Sequence, residues 1–223
     1  MLGIRVTVPV ACFRKGLARE YLETEPVPPP STCYGFLLSL VGEQDRRRHI
    51  GCRIAPVLLN RPERSVVLRT VWRVKKAPLG SPGNTRPDYQ QLLAPVELVL
   101  WVDSTDEPGE RARLEQRVRT ALANPREVDR FGGLSLGEST HLVDEVQLLE
   151  RFQRSRRFRQ LSTAPRGQAF LLAERGRLTL PVWVDHVGSA ETRYVTGDLV
   201  TDWPMDRAPE IERMPCIRPP ESQ

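Results

Sequence analysis

Apolar positions along this chain alternate with polar ones in some stretches and crowd together in others. GIRVTVPV (3–10) predicts a first strand closed by Pro9, and STCYGFLLSLVGE (31–43) predicts a helix apolar on nearly every side. Three prolines, Pro28 to Pro30, hold the approach to that helix extended, and Gly42 lies near its end. DRRRH (45–49) reads as an exposed turn and CRIAPVLLN (52–60) as a strand. Residues 65–76 alternate with period two, so that Val66, Leu68, Thr70, Trp72 and Val74 share one face, expected to be core. Val67, Arg69, Val71, Arg73 and Lys75 share the other, cationic one. After a Pro/Gly loop the chain returns as LLAPVELVLWV (92–102), which completes a long hairpin.

Residues 109–124 predict an amphipathic helix with Leu114, Val118, Ala121 and Leu122 on one stripe, stopped at Asn124-Pro125. FGGLSLGEST (131–140) leads into a strand-like HLVDEVQLL (141–149). QAFLLAERGRLTLPVWVDH predicts a hairpin turning at Arg175-Gly176, and RYVTGDLV (193–200) a further strand. Beyond Trp203 the composition turns to Pro, Glu and Arg, which predicts a disordered or docking tail. The fold class is α+β. The order β-α-β-β-α-β over residues 1–150 matches the split βαβ, ferredoxin-like arrangement, with one sheet face free of helices. Residues 151–203 follow as a β-rich C-terminal extension and 204–223 as a Pro-rich tail.

Composition narrows the chemistry. No apolar run reaches the ~18 residues of a membrane span and no basic segment followed by a long apolar stretch opens the chain, so a cytoplasmic protein without membrane contact is expected. Cys12, Cys33, Cys52 and Cys216 are scattered, which points neither to a disulfide framework nor to a zinc site. The net charge is +5, and of 33 basic residues only Lys15, Lys75 and Lys76 are lysines. Arginine donates two parallel hydrogen bonds to a phosphate and stacks on bases, yet a GC-rich genome also writes arginine wherever either cation serves. Position has to decide between these readings.

Several positions could meet a polyanion. The N-terminus of the 31–43 helix offers open N–H groups and a positive dipole end, so Ser31 and Thr32 either border a phosphate site or cap the helix. Gly132, Gly133 and Gly137 let backbone approach a ligand closely, or make a plain turn. Arg69, Arg73 and Lys75 span roughly 20 Å of one strand, a fit for successive phosphates or a charged guard on an edge strand. RFQRSRRFRQ (151–160) interleaves Phe152 and Phe158 with five arginines, able to contact phosphates and stack bases, unless the rings pack inward. His49, His141 and His186 are far apart in sequence and no nucleophile motif occurs. A metal-independent ribonuclease would have to assemble Tyr34, Lys75, Lys76 and His49 across the fold.

Read in order, VPVACFRKGLAREYLETEPVPPPSTCYGFLLSLVGE (8–43) contains a strand, the Phe13-Arg14 pair, a tyrosine, a proline-serine step and a glycine-containing helix. The basic hairpin and FGGLSLGEST follow. This series resembles the fifth CRISPR-associated protein family, the RAMP-type subunits that cap the 5′ end of the guide RNA in type I Cascade complexes. It is most similar to the variety first noted in myxobacterial loci and grouped with type I-B systems. The resemblance implies a binding subunit without cofactor or metal. Its partners would be the 5′ handle of the guide RNA, the backbone, large and RNA-processing subunits, and target DNA through the complex. RNA contacts would fall to Arg14, Lys15, Arg19, Ser31, Thr32, Tyr34, Arg69, Arg73, Lys75, Lys76, Gly132, Gly133 and Ser135, and the hairpin 65–102 would be a thumb. One branch of the family cleaves precursor RNA with a tyrosine and a lysine-histidine pair. Here Lys75-Lys76 is followed by Ala77, so the pair is absent and cleavage stands as the alternative.

Overall fold

The computed structural model describes residues 1–220 apart from Leu17, Arg19, residues 73–77, Leu79, Glu110 and Gly188, with backbone alone at Val71. Its strands are β1 (Leu2–Val8), β2 (Tyr21–Leu22), β3 (Arg53–Leu58), β4 (Glu63–Trp72), β5 (Thr85–Ala94), β6 (Val96–Asp103), β7 (Glu145–Leu148), β8 (Arg166–Leu172), β9 (Leu178–Trp183) and β10 (Arg193–Pro204). The helices are α1 (Pro30–Leu40), α2 (Leu114–Ala123), α3 (Leu149–Gln153) and α4 (Arg156–Arg159). Seven strands make one sheet in the order β7-β1-β6-β3-β8-β10-β9, antiparallel throughout. The expected hairpin at Arg175-Gly176 turns, but its two strands do not pair. β10 inserts between β8 and β9, because a turn signal shows where the chain reverses and leaves open which strand fills the gap.

Both faces of this sheet are buried. On one, Leu2, Ile4, Val6 and Val8 of β1 join Leu98 and Leu100 of β6 beneath α1 and α2. Helix α1 packs on β3, β9 and α2, which explains its apolar girth: Phe36, Leu37, Leu38 and Leu40 are all buried, each contributing about 1.5–3 kcal/mol. Its N-cap is Pro29 and no side chain caps it. Pro30 has the φ and the missing N–H that suit the first helical position, so it takes that place and pushes Ser31 and Thr32 inside the first turn. Neither hydroxyl is a cap. After the helix Gly42 has φ +68°, and a Cβ there would overlap the carbonyl oxygen of Asp129.

The opposite face, expected to be free of helices, is covered. Ala55, Val57, Val99 and Trp101 lie under Leu149 and Phe152 of α3, under Trp203 near the end of β10, and under Met205 and Met214 of the C-terminal segment. That segment is ordered rather than a loose tail. Met205, Met214 and Ile217 are fully buried, and Cys216 bridges Arg53 at the start of β3. A few apolar residues spaced among Pro, Glu and Arg do not raise mean hydropathy, yet these three each find a cleft to fill, while Ile211 stays exposed. Arg5, in the middle of β1, is also fully buried here; its Nε donates to Glu97 at 2.8 Å and its Nη1 to Glu145 at 2.6 Å.

A second, three-stranded sheet in the order β2-β5-β4 forms a ribbon. The stretch 92–102 is therefore not one strand. It divides at Pro95, with β5 in the ribbon and β6 inside the large sheet between β1 and β3, since proline brings no N–H to a ladder. The face of β4 expected to be core is open: Leu68 is 62% and Trp72 61% exposed. Alternation shows which side chains share a face; it does not show that another layer covers them. Among the described residues no helix is long and apolar enough to cross a membrane.

Candidate nucleic-acid interface

A cavity of about 780 Å³ opens where α1, the segment 129–137 and the end of β9 meet. Ser31, Thr32, Gly35 and Ser39 line it from α1, Asp129, Phe131, Ser135 and Gly137 from the glycine segment, and Trp183, Val184 and His186 from β9 and beyond. The first turn of α1 thus faces the cavity with two hydroxyls that the helix itself does not use, at the positive end of its dipole. Nothing lies within 4 Å of a Cβ added at Gly35, so the absence of a side chain there keeps that wall open. At the rim Phe131 is fully exposed. Arg46 lies over the Trp183 ring at 4.4 Å and donates to the Val184 carbonyl at 2.9 Å. An exposed aromatic ring with half-buried arginine and hydroxyl groups around an open cavity can stack a base and hold a phosphate.

The glycine segment is fixed from behind by His141. Its Nδ1 accepts the N–H of Cys12 at 3.1 Å and that of Glu138 at 3.3 Å, which puts the ring proton on Nε2 and leaves the imidazole neutral. Burial pushes the His141 pKa down; the Glu138 carboxylate opposes this and the Arg69 guanidinium adds to it. Gly137 sits between them at φ +108°, and a Cβ on it would stand 2.8 Å from the Cys12 carbonyl oxygen. Arg69 reaches from the ribbon to Glu138 at 3.0 Å and also donates to Gln90. Burial works against the charge of Glu138, but the side chains of Gln90 and Arg69 outweigh it and hold the carboxyl below its usual range.

Of the residues singled out in the sequence, Ser31, Thr32, Tyr34 and Ser135 come together on the cavity. Tyr34 is buried, however, and is a wall: its hydroxyl donates to the Arg46 carbonyl at 2.8 Å and accepts from the His49 N–H at 3.3 Å. Burial raises its pKa strongly. Gly132 and Gly133 belong to the same segment but are exposed beyond the cavity lining. Arg69 is held by Glu138 rather than free for phosphate. Arg14 and Lys15 lie elsewhere, beside the ribbon, where Arg14 bridges Thr24 and Lys15 faces Glu23 at 3.7 Å. Arg19, Arg73, Lys75 and Lys76 lie outside the described residues.

His49 does not sit in an exposed turn. It is buried, with Nδ1 2.6 Å from Glu107 and Nε2 3.0 Å from Arg117, and Glu107 in turn accepts the Leu114 N–H at the start of α2. Both ring nitrogens are engaged in holding α2 to the body of the protein. The rings of RFQRSRRFRQ also turn inward, where Phe152 and Phe158 meet edge-on at 5.6 Å. Sequence reasoning missed Arg46, Phe131, Trp183 and His141. Only Phe131, a large apolar residue beside two glycines in a polar segment, carried a local signal. Among the described residues no cluster of His, Cys, Asp and Glu could hold a metal ion.

Fold and cavity together define a mixed α/β protein with a large antiparallel sheet, few helices and, on its helical face, a cavity of mixed apolar and polar lining with Phe131 at its rim. No protein-family model matches the chain. Over 220 residues, 97% of this chain and 97% of the relative, it is 51% identical to CRISPR-associated protein Cas5 of Myxococcus xanthus strain DK1622. The chain belongs to the Cas5 family of CRISPR-associated proteins. Its fold is similar to that of a chain in a CRISPR RNA-guided surveillance complex, with TM-score 0.60 and 16% identity over 91% of this chain and 90% of that one. A crystal structure of a Cas protein is similar with TM-score 0.53 and 17% identity over 95% and 98% of the two chains.

Proposed function

We propose that this protein is the Cascade subunit that binds the 5′ handle of the guide RNA, with the cavity between α1 and the glycine segment as the seat of the handle. The observation that carries this is the meeting of Ser31 and Thr32 with Ser135, Gly137 and the exposed Phe131 around one cavity. The hydroxyls and the α1 dipole receive phosphate, Phe131 stacks a base, and Arg46 lies on the path of the backbone. Arg14 and Lys15 lie beside the ribbon, which serves as the thumb; Arg69 positions it by joining it to the glycine segment. The order β7-β1-β6-β3 is that of the split βαβ arrangement, and this supports a ferredoxin-like body over residues 1–150. The apolar outer face of β4 supports contact with the neighbouring backbone subunit, and target DNA is reached through the complex.

Binding without cleavage is the reading favoured here, because Tyr34 and His49 are committed to each other and to the fold. The test is guide-RNA binding by the double variant R46A/F131A. A loss of about one stacked base, ~1–3 kcal/mol or roughly 5- to 150-fold in Kd, is expected. Unchanged affinity for a handle oligonucleotide overturns the seat. A discrete cut in repeat RNA incubated with the protein in EDTA overturns the absence of catalysis.

A further inference from the structure

The cavity leaves one charged motif unused. α3 and α4 lie on the sheet face opposite α1, where Phe152 is buried 4.2 Å beneath the Arg5 guanidinium and Ser155 Oγ accepts the Phe158 N–H at 3.1 Å. With both rings turned inward, Arg151, Arg154, Arg156, Arg157 and Arg159 are all left exposed. Arg157 faces Glu145 at 3.5 Å; the other four have no ion-pair partner among the described residues. No acidic residue falls between 151 and 159. The chain has 33 basic and 28 acidic residues, so setting these five arginines aside leaves 28 of each sign. The net charge of +5 is therefore matched by this one nine-residue knuckle, while the rest of the chain balances.

Like charges crowded on two short helices repel one another, and a polyanion laid across them relieves that repulsion. We infer that the α3–α4 knuckle grips the phosphate backbone of a nucleic-acid duplex, on a surface separate from the cavity. The aromatics favour a duplex over a single strand. Single strands are held by stacking bases on exposed rings, and here both rings are consumed by the protein. What remains is a set of exposed guanidinium forks, suited to phosphates and blind to sequence. This surface does not depend on the cavity's reading.

The test compares the full-length protein with R151Q/R154Q/R156Q/R159Q, titrating short mixed-sequence duplexes of DNA and of RNA by fluorescence anisotropy at several salt concentrations. Binding at low salt should weaken at least about tenfold, and the plot of log K against log salt should flatten by about 3 to 4, at about 0.9 for each phosphate that the variant no longer neutralises. The duplex showing the larger loss names the source. The corresponding Arg→Lys variant should retain the slope, and handle-RNA binding should be unchanged in both. An unchanged slope in the Gln variant, a loss confined to single strands, or a loss confined to an acidic protein of the complex overturns the inference.

Discussion

His141 is the most exposed test of how the glycine segment is held. In His141→Ala the N–H of Cys12 and that of Glu138 both lose their acceptor. Each orphaned donor costs about 1–3 kcal/mol when buried. Cys12 is buried, so its N–H carries the larger part, while the 3.3 Å contact to Glu138 is the weaker and lies in a partly exposed segment; about 2–3 kcal/mol in total follows. The same geometry sets a pH dependence. Burial lowers the folded-state pKa of His141 below 6.5, so the unfolded chain binds the proton first as pH falls. The stabilisation is complete above pH 6.5 and is lost on descending from there through the folded-state value. Urea unfolding followed by tryptophan fluorescence at neutral and mildly acidic pH measures both effects. Unfolding free energies within about 0.5 kcal/mol of the parent, the range of an ordinary surface change, would refute the pin, as would the same acid slope in His141→Ala and the parent.

Two shorter predictions test other parts of the structure. Gly35→Ala should stabilise α1 by about 0.5–1 kcal/mol, because the glycine lies inside the helix with open space where the methyl would go, while handle-RNA affinity falls as the cavity narrows. A rise in melting temperature paired with weaker RNA binding is the signature, and a fall in melting temperature contradicts it. Met214→Ala should cost about 2–5 kcal/mol in thermal or urea unfolding, as for any fully buried methionine; no loss would mean that the C-terminal segment is detached in solution.

Part of the site is legible in the sequence. The prolines before α1, the glycines of 131–140 and the arginines of 151–159 are local signals, because each acts through backbone freedom or charge that a residue carries wherever it lies. Arg46, Trp183 and His141 gave no such sign. Arg46 sits in a run of three arginines that reads as solvent-facing, and only the approach of β9 gives it an indole to cover. His141 gains its role from Cys12, 129 residues away. Arg69 was legible as a cation but not as a tether, since Glu138 lies 69 residues further along the chain.

The first strand, the apolar character of α1, the amphipathic stripe of α2 and the excess of arginine were determined by the sequence, since local sterics and hydrophobic period act over a few residues. Which faces are covered, which strands are neighbours and which cations remain free were decided only in three dimensions. β10 between β8 and β9, the C-terminal methionines under the sheet and the open outer side of β4 all depend on contacts between distant segments. The physical reason is that burial belongs to a pair of surfaces, and a residue's own pattern specifies only one of them.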